Sequence, residues 1–171
     1  ATTIRPKRSG SESRAGEIMS TGLARILSLA TAVPRHELAQ SDIATRAERF
    51  FPDIDPEFLA RMLPIYENSG ISTRYSCVPA DWYESPHGWA EKNTLYIKHA
   101  VDLLERAARE ALSAAHMGIR DVDAVFAVST TGIATPSLDA LLMERLGTRR
   151  DVMRLPIFGL GCAGGDGDSV E

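Results

Sequence analysis

The stretch Val152-Met153-Arg154-Leu155-Pro156-Ile157-Phe158-Gly159-Leu160-Gly161-Cys162-Ala163-Gly164-Gly165 sets an apolar run against a glycine-rich turn with a cysteine at its centre. The first seven residues predict a strand. The glycines that follow permit a tight turn that pushes a side chain outward, and a helix starting there would favour a thiolate at its N-terminus. Amide N–H groups of the same turn can stabilise an oxyanion. Cys162 is therefore a candidate nucleophile, with a buried structural cysteine as the competing reading.

Upstream, Asp123 to Ser129 (DAVFAVS) is apolar almost throughout, which predicts a strand covered on both faces in the middle of a sheet. Ser137 offers an N-cap for a helix over Leu138 to Leu146, which Gly147 terminates. From Asn93 to Met117 the positions Ile97, Val101, Leu104, Ala108, Ala111 and Ala115 step by three and four, which predicts a long amphipathic helix stopped by Gly118. Strands alternating with helices in this order define a layered α/β domain.

The N-terminal part carries weaker signals. Leu23 to Ala32, ending in Val33-Pro34, predicts a short buried strand followed by a loop. Ser41 is a candidate N-cap for a helix bearing Ile43, Ala44, Ala47 and Phe50. Asp55-Pro56-Glu57 starts another helix, expected to bury Phe58, Leu59 and Met62 and to end at Pro64. Ile71 to Val78 alternates Ile71, Thr73, Tyr75 and Cys77 with polar residues, the pattern of a strand buried on the first set. Residues 79 to 92 predict an irregular surface connection.

Composition excludes several functional classes. With 44% hydrophobic residues, the 171-residue chain can build a core. A net charge of -4 without a basic stripe argues against nucleic acid, and no apolar run is long enough to span a membrane, so a cytoplasmic location is expected. Cys77 and Cys162 lie in unrelated contexts with no ligand spacing, which predicts free thiols and no metal site. Residues 1–18 mix Arg, Lys, Ser, Gly and Glu and predict a disordered leader, so the folded domain is placed at 19–165.

The run Ser129-Thr130-Thr131-Gly132-Ile133-Ala134-Thr135-Pro136-Ser137-Leu138-Asp139, with Leu146-Gly147, Arg154-Leu155-Pro156 and Gly159 to Gly165, closely resembles the bacterial type III, chalcone synthase-like polyketide synthases. Similarity extends back through Gly70-Ile71-Ser72-Thr73-Arg74-Tyr75 and covers residues 22 to 165, about the first half of that family's chain. The resemblance implies the N-terminal half of a thiolase-like fold, usually in a homodimer, acting on acyl-CoA and malonyl-CoA without a further cofactor. It makes Cys162 the residue that takes the starter acyl group as a thioester, which decarboxylated malonyl-CoA then extends.

Other residues carry over by position. Thr130 and Thr131 match residues lining the substrate cavity, the alternative being strand-end hydroxyls bonded to backbone. Thr135 matches a position reaching across the dimer interface, or is simply a turn residue before Pro136. Arg61 matches a basic residue contacting CoA phosphates, whereas Phe58 and Ile65 occupy neighbouring positions that are basic in the plant enzymes; a solvated helix Arg is the alternative. The family's activating His and carbonyl-binding Asn belong to its C-terminal half, so His36, His87, His99 and His116 are not expected to be catalytic. Residues 166–171 (DGDSVE) replace an apolar helix of the family and read as an aberrant polar tail. Loss of activity in a fragment follows, with a half-fold that binds a full-length partner, or a ketoacyl synthase of fatty-acid synthesis, as alternative readings.

Overall fold

The computed structural model describes residues 24–168, so the leader predicted at 1–18 and the end of the polar tail lie outside the described residues. Residues 24–34 form no regular element, and Ile26 and Leu29 are 93% and 87% exposed, against the buried strand expected there. An apolar run becomes a strand only beside a ladder partner. None flanks it among the described residues, and its ties include single hydrogen bonds from Ser28 Oγ to the Ala111 carbonyl and from Arg106 to the Val33 carbonyl.

The first sheet instead joins β1 (His36–Ala39) to β2 (Thr73–Ser76) in antiparallel register, His36 opposite Ser76 and Ala39 opposite Thr73. Helix α1 (Gln40–Phe50) follows β1 at once, with Ala39 at the N-cap; Ser41 lies inside the first turn and caps nothing. Buried Gln40 takes over the junction, donating to the Tyr66 carbonyl at 3.1 Å and accepting from Arg74 Nε at 2.6 Å.

Asp55 caps α2 (Pro56–Met62), its Oδ1 accepting from the Phe58 amide at 2.9 Å, and Pro64 opens the separate short helix α3 (Pro64–Asn68). Of the three side chains expected to be buried, only Leu59 is; Phe58 and Met62 are nearly half exposed, because a two-turn helix covers one narrow face. Burial along β2 does not follow the alternation: Thr73 and Cys77 are half-buried and Arg74 is exposed. Ser76 and Val78 are buried while Ile71 and Tyr75 are exposed, because the 3-10 turn Ala80–Glu84 folds over the Ser76 side and Tyr83 OH bonds Ser76 Oγ at 2.9 Å.

The long helix, α4 (Trp89–Ala114), starts about one turn earlier than its apolar spacing predicts and ends before Gly118. His116 adopts φ +55°, and the Met117 amide bonds the Leu112 carbonyl while the His116 amide bonds the Ser113 carbonyl, a Schellman closure on a non-glycine residue. His116 thus sits beyond the last turn rather than on it, while Gly118 donates its amide to Asp121.

Strand β3 (Ala124–Ser129) pairs in parallel with β4 (Met153–Phe158), Phe126 opposite Leu155 and Ser129 opposite Phe158. Helix α5 (Leu138–Leu146) crosses between them on one face, packs on both strands and on α4, and buries Leu138, Leu142 and Leu146. Gly147 ends it with φ +69°, as predicted, although Ser137 holds the N-cap without a side-chain bond. On the opposite face, Phe126, Val128, Met153 and Leu155 are 42–65% exposed, so β3 is not covered on both sides among the described residues.

Candidate active site around Cys162

The carboxyl ends of parallel strands are where α/β proteins gather ligand-binding loops. Here β3 delivers Thr130 and Thr131, and β4 delivers the turn Gly159-Leu160-Gly161-Cys162, to the same end of the ladder. The Gly159 amide donates to the Ser129 carbonyl at 3.0 Å, which extends the pairing by one bond and fixes where the turn begins. Gly159 (φ +82°) and Gly161 (φ +56°) then occupy left-handed conformations that side chains disfavour.

The chain continues as a 3-10 helix over Gly161–Asp168, closed at its start by the Ala163 amide on the Leu160 carbonyl. This helix lies on the open face of β3. A Cβ on Gly164 would come within 2.5 Å of Val128 Cγ1, so the close approach needs glycine. Asp166, Gly167 and Asp168 continue the same 3-10 helix.

Cys162 is exposed and free, whereas Cys77 is half-buried and free, in the order that the glycine turn implies. Thr130 and Thr131 are exposed at the strand end, and among the described residues neither side chain makes a hydrogen bond. Thr135 is exposed ahead of a cis bond to Pro136. Arg61 lies on α2, outside the elements that carry Cys162, with its guanidinium 5.6 Å from the centre of the Phe58 ring.

None of the four histidines is hydrogen-bonded to Cys162 among the described residues. His87 is enclosed by the Trp82 ring stacked at 3.7 Å, the Trp82 carbonyl and Glu91, while His36 belongs to β1. No group of acidic, His and Cys side chains suited to a metal occurs among the described residues.

Two features of the site escape sequence reasoning. Asp139 is fully buried and lines a small cavity of about 100 Å³ with Ser129, Gly132 and Ser137; neither carboxylate oxygen has a hydrogen-bond partner, and Arg154 Nη1 stands 3.5 Å away. Its position in the first turn of α5 was the available signal, since carboxylates favour the positive end of a helix. The second is the contact of Asn93 and Tyr96, on α4, with the Ser129–Ile133 loop. Nothing in one sequence marks two helix residues as partners of groups 33 and 40 positions away.

Residues 11–169 match the family model for the N-terminal domain of chalcone and stilbene synthases. A chalcone synthase candidate of Bacillus subtilis (strain 168) is 38% identical over 152 residues, which is 84% of this chain and 40% of that protein. The 1,3,6,8-tetrahydroxynaphthalene synthase of Streptomyces peucetius subsp. caesius is 37% identical over 79% of this chain and 36% of its own length. Among solved structures, the 1,3,6,8-tetrahydroxynaphthalene synthase of Streptomyces coelicolor A3(2), a bacterial type III polyketide synthase, superposes with a TM-score of 0.71 at 28% identity over 82% of this chain and 40% of that one. The chain thus spans about two fifths of the relatives it matches. With an α/β half of a thiolase-like fold and a matching family model over nearly its whole length, the chain belongs to the chalcone and stilbene synthase family of type III polyketide synthases.

Proposed function

We propose that this chain supplies the acyl-accepting cysteine of a polyketide synthase site. Cys162 Sγ, as thiolate, attacks the thioester carbonyl of an acyl-CoA; the carbon–sulfur bond to CoA breaks, CoA leaves as its thiolate, and the acyl group stays on Cys162. Malonyl-CoA then loses carbon dioxide, and the resulting carbanion attacks the Cys162 thioester, returning the thiolate and lengthening the chain by two carbons. The observation that carries this reading is the exposed Cys162 in a glycine turn at the carboxyl end of the β3–β4 pair, beside the Thr130–Thr131 loop.

In this reading Thr130 and Thr131 line the acyl cavity, Arg61 meets CoA phosphates from the exposed side of α2, and Thr135 reaches a second subunit of a homodimer. The described residues place no imidazole or side-chain amide on Cys162, so they supply neither a base for its thiol nor side-chain donors for an enolate. Removing one oxyanion donor commonly costs about a hundredfold or more in rate. The 171-residue chain is therefore expected to load without extending.

Incubation with a reactive acyl-CoA followed by intact-mass measurement tests this. One acyl adduct on the wild-type chain and none on Cys162→Ala is the expected result. A wild-type chain that stays unmodified, or modification that survives Cys162→Ala, overturns the assignment. Labelled malonyl-CoA should give no extended product with this chain alone, and product that depends on Cys162 would show that the described residues suffice.

A further inference from the structure

Three side-chain contacts run from α4 to the loop that separates β3 from α5. Asn93 Nδ2 donates to the Ile133 carbonyl at 2.8 Å, and the Ile133 amide donates to Asn93 Oδ1 at 2.9 Å. One orientation of the amide satisfies both backbone groups, so Asn93 reads the loop as a neighbouring strand would. One helical turn further on, Tyr96 OH is hydrogen-bonded to Ser129 Oγ. The Tyr96 ring fills the space beside Gly132 so closely that a Cβ there would lie 1.9 Å from Cδ1.

The loop held in this way is Ser129-Thr130-Thr131-Gly132-Ile133. Ser129 is shared between the two sides of the site. Its hydroxyl meets Tyr96, and its carbonyl accepts the Gly159 amide, three residues before Cys162. A continuous path of bonded groups therefore runs from α4 through Ser129 to the turn that presents Cys162. Helix α4 is 26 residues long and does not need either side chain for its own backbone bonds, so both are available for this outside role.

We infer that Asn93 and Tyr96 are positioning residues: they hold the Thr130–Thr131 loop and, through Ser129, set the Gly159–Cys162 turn. The inference rests on Cys162 being the reacting residue, but it concerns the geometry that presents the thiol and needs no acyl transfer to be seen.

The test uses the full chain and three variants, Asn93→Ala, Asn93→Asp and Tyr96→Phe. Asp keeps the acceptor for the Ile133 amide and loses the donor; Phe removes one oxygen and keeps the ring. Amide hydrogen exchange is followed in peptides spanning 129–135, 157–163 and, as a control, the middle of α4. Iodoacetamide labelling rates are read for Cys162 against Cys77. Asn93→Ala should accelerate exchange about tenfold in 129–135 and also in 157–163, with the α4 control unmoved. Cys162 labelling should change at least about threefold relative to Cys77, with Asn93→Asp between wild type and Asn93→Ala and Tyr96→Phe moving Cys162 in the same direction.

Exchange confined to 129–135 with an unchanged Cys162 rate would overturn the inference, leaving a local loop tether. So would equal changes in both cysteines, which report general loosening. If Asn93→Ala does not fold, Tyr96→Phe alone decides between these outcomes, since it deletes only the hydroxyl that meets Ser129. Failure of the wild-type chain to take an acyl group from acyl-CoA would remove the acyltransferase reading and leave this comparison intact.

Discussion

The two strand pairs are built from different materials. Around β1 and β2 the burial is mixed, with Gln40 and Ser76 buried beside Ala47, Leu59 and Val78. Buried Gln40 links Tyr66, Ser69 and Arg74; buried Ser76 bonds Tyr83 OH and the Val78 amide; and Arg46 holds Asp81 and Glu84 of the next turn. Around β3 and β4 it is aliphatic: Ala127, Leu138, Leu142, Leu146 and Val152 are buried, with Asp139 the one buried charged side chain among them. The mixed region carries none of the proposed chemistry except exposed Arg61. The aliphatic region carries Cys162, Thr130 and Thr131, and a face of β3–β4 that the described residues leave open at Phe126, Val128, Met153 and Leu155. A parallel pair with one apolar face bare is a platform for further structure. The thiol turn leads into the 3-10 helix that lies on that same face, Gly164 against Val128.

The contrast can be broken most severely at Gly132, where the aliphatic region meets α4. Gly132→Ala drives a methyl group into the Tyr96 ring, and over-packing of this kind costs about 3 kcal/mol when neither side can retreat. Urea denaturation of the purified chain is the measurement. A variant within about 0.5 kcal/mol of wild type would show that Tyr96 swings aside freely, and would weaken the idea that it pins the loop.

A smaller effect sharpens the β1–β2 side. Gln40→Leu keeps the volume of the side chain but removes the acceptor of Arg74 Nε and one of the two donors to the Tyr66 carbonyl, which keeps Ser69 Oγ. Loss of a buried bridging amide of this sort costs about 1 to 2 kcal/mol. The same denaturation experiment should find it, and an unchanged or stabilised variant would mean that the β1–β2 region is held by its ion pairs instead.

The same contrast explains what a sequence discloses. Val152 to Phe158, Asp123 to Ser129 and the helix from Leu138 to Gly147 are legible because apolar runs mark the two strands, even where the described residues leave them uncovered, and the helix end writes a glycine. The glycine turn at Cys162 is legible for the same reason: positive φ selects its residue type. Polar burial writes nothing comparable. His36–Ala39 (HELA) carries no strand signal, and Gln40 and Ser76 resemble surface residues until their partners are known. Alternation along Ile71 to Val78 reveals two faces without saying which one the Ala80–Glu84 turn will cover. Leu23 to Ala32 fails in the opposite way, since an apolar run marks a strand only when a neighbour accepts its backbone. Asn93 and Tyr96 are invisible because their task is defined by a loop distant in sequence.

The smallest expected effect lies on the clasp that attaches α4 to α5. Glu105 accepts from Arg109 at 2.8 Å and from Arg145 at 3.3 Å, and Arg145 also bonds Asp102. The hydrogen bond from Arg109, opposed by partial burial and reinforced by Arg145, holds the Glu105 carboxyl below the ordinary carboxylate range. A carboxyl whose folded value is depressed contributes stability that is complete above its unfolded value, about 4.3, and is lost as pH falls through the folded one. The clasp should therefore weaken only in acid, and modestly, because the pair is solvent-screened. Thermal melts of wild type and Glu105→Gln between about pH 6 and pH 3 read the difference. The wild-type Tm should fall more steeply than that of the variant once pH drops below about 4.3, with the two curves separated by a constant offset above it. Parallel curves throughout would show that Glu105 does not couple the helices. A variant that falls more steeply than wild type would reverse the sign assigned to the Arg109 bond.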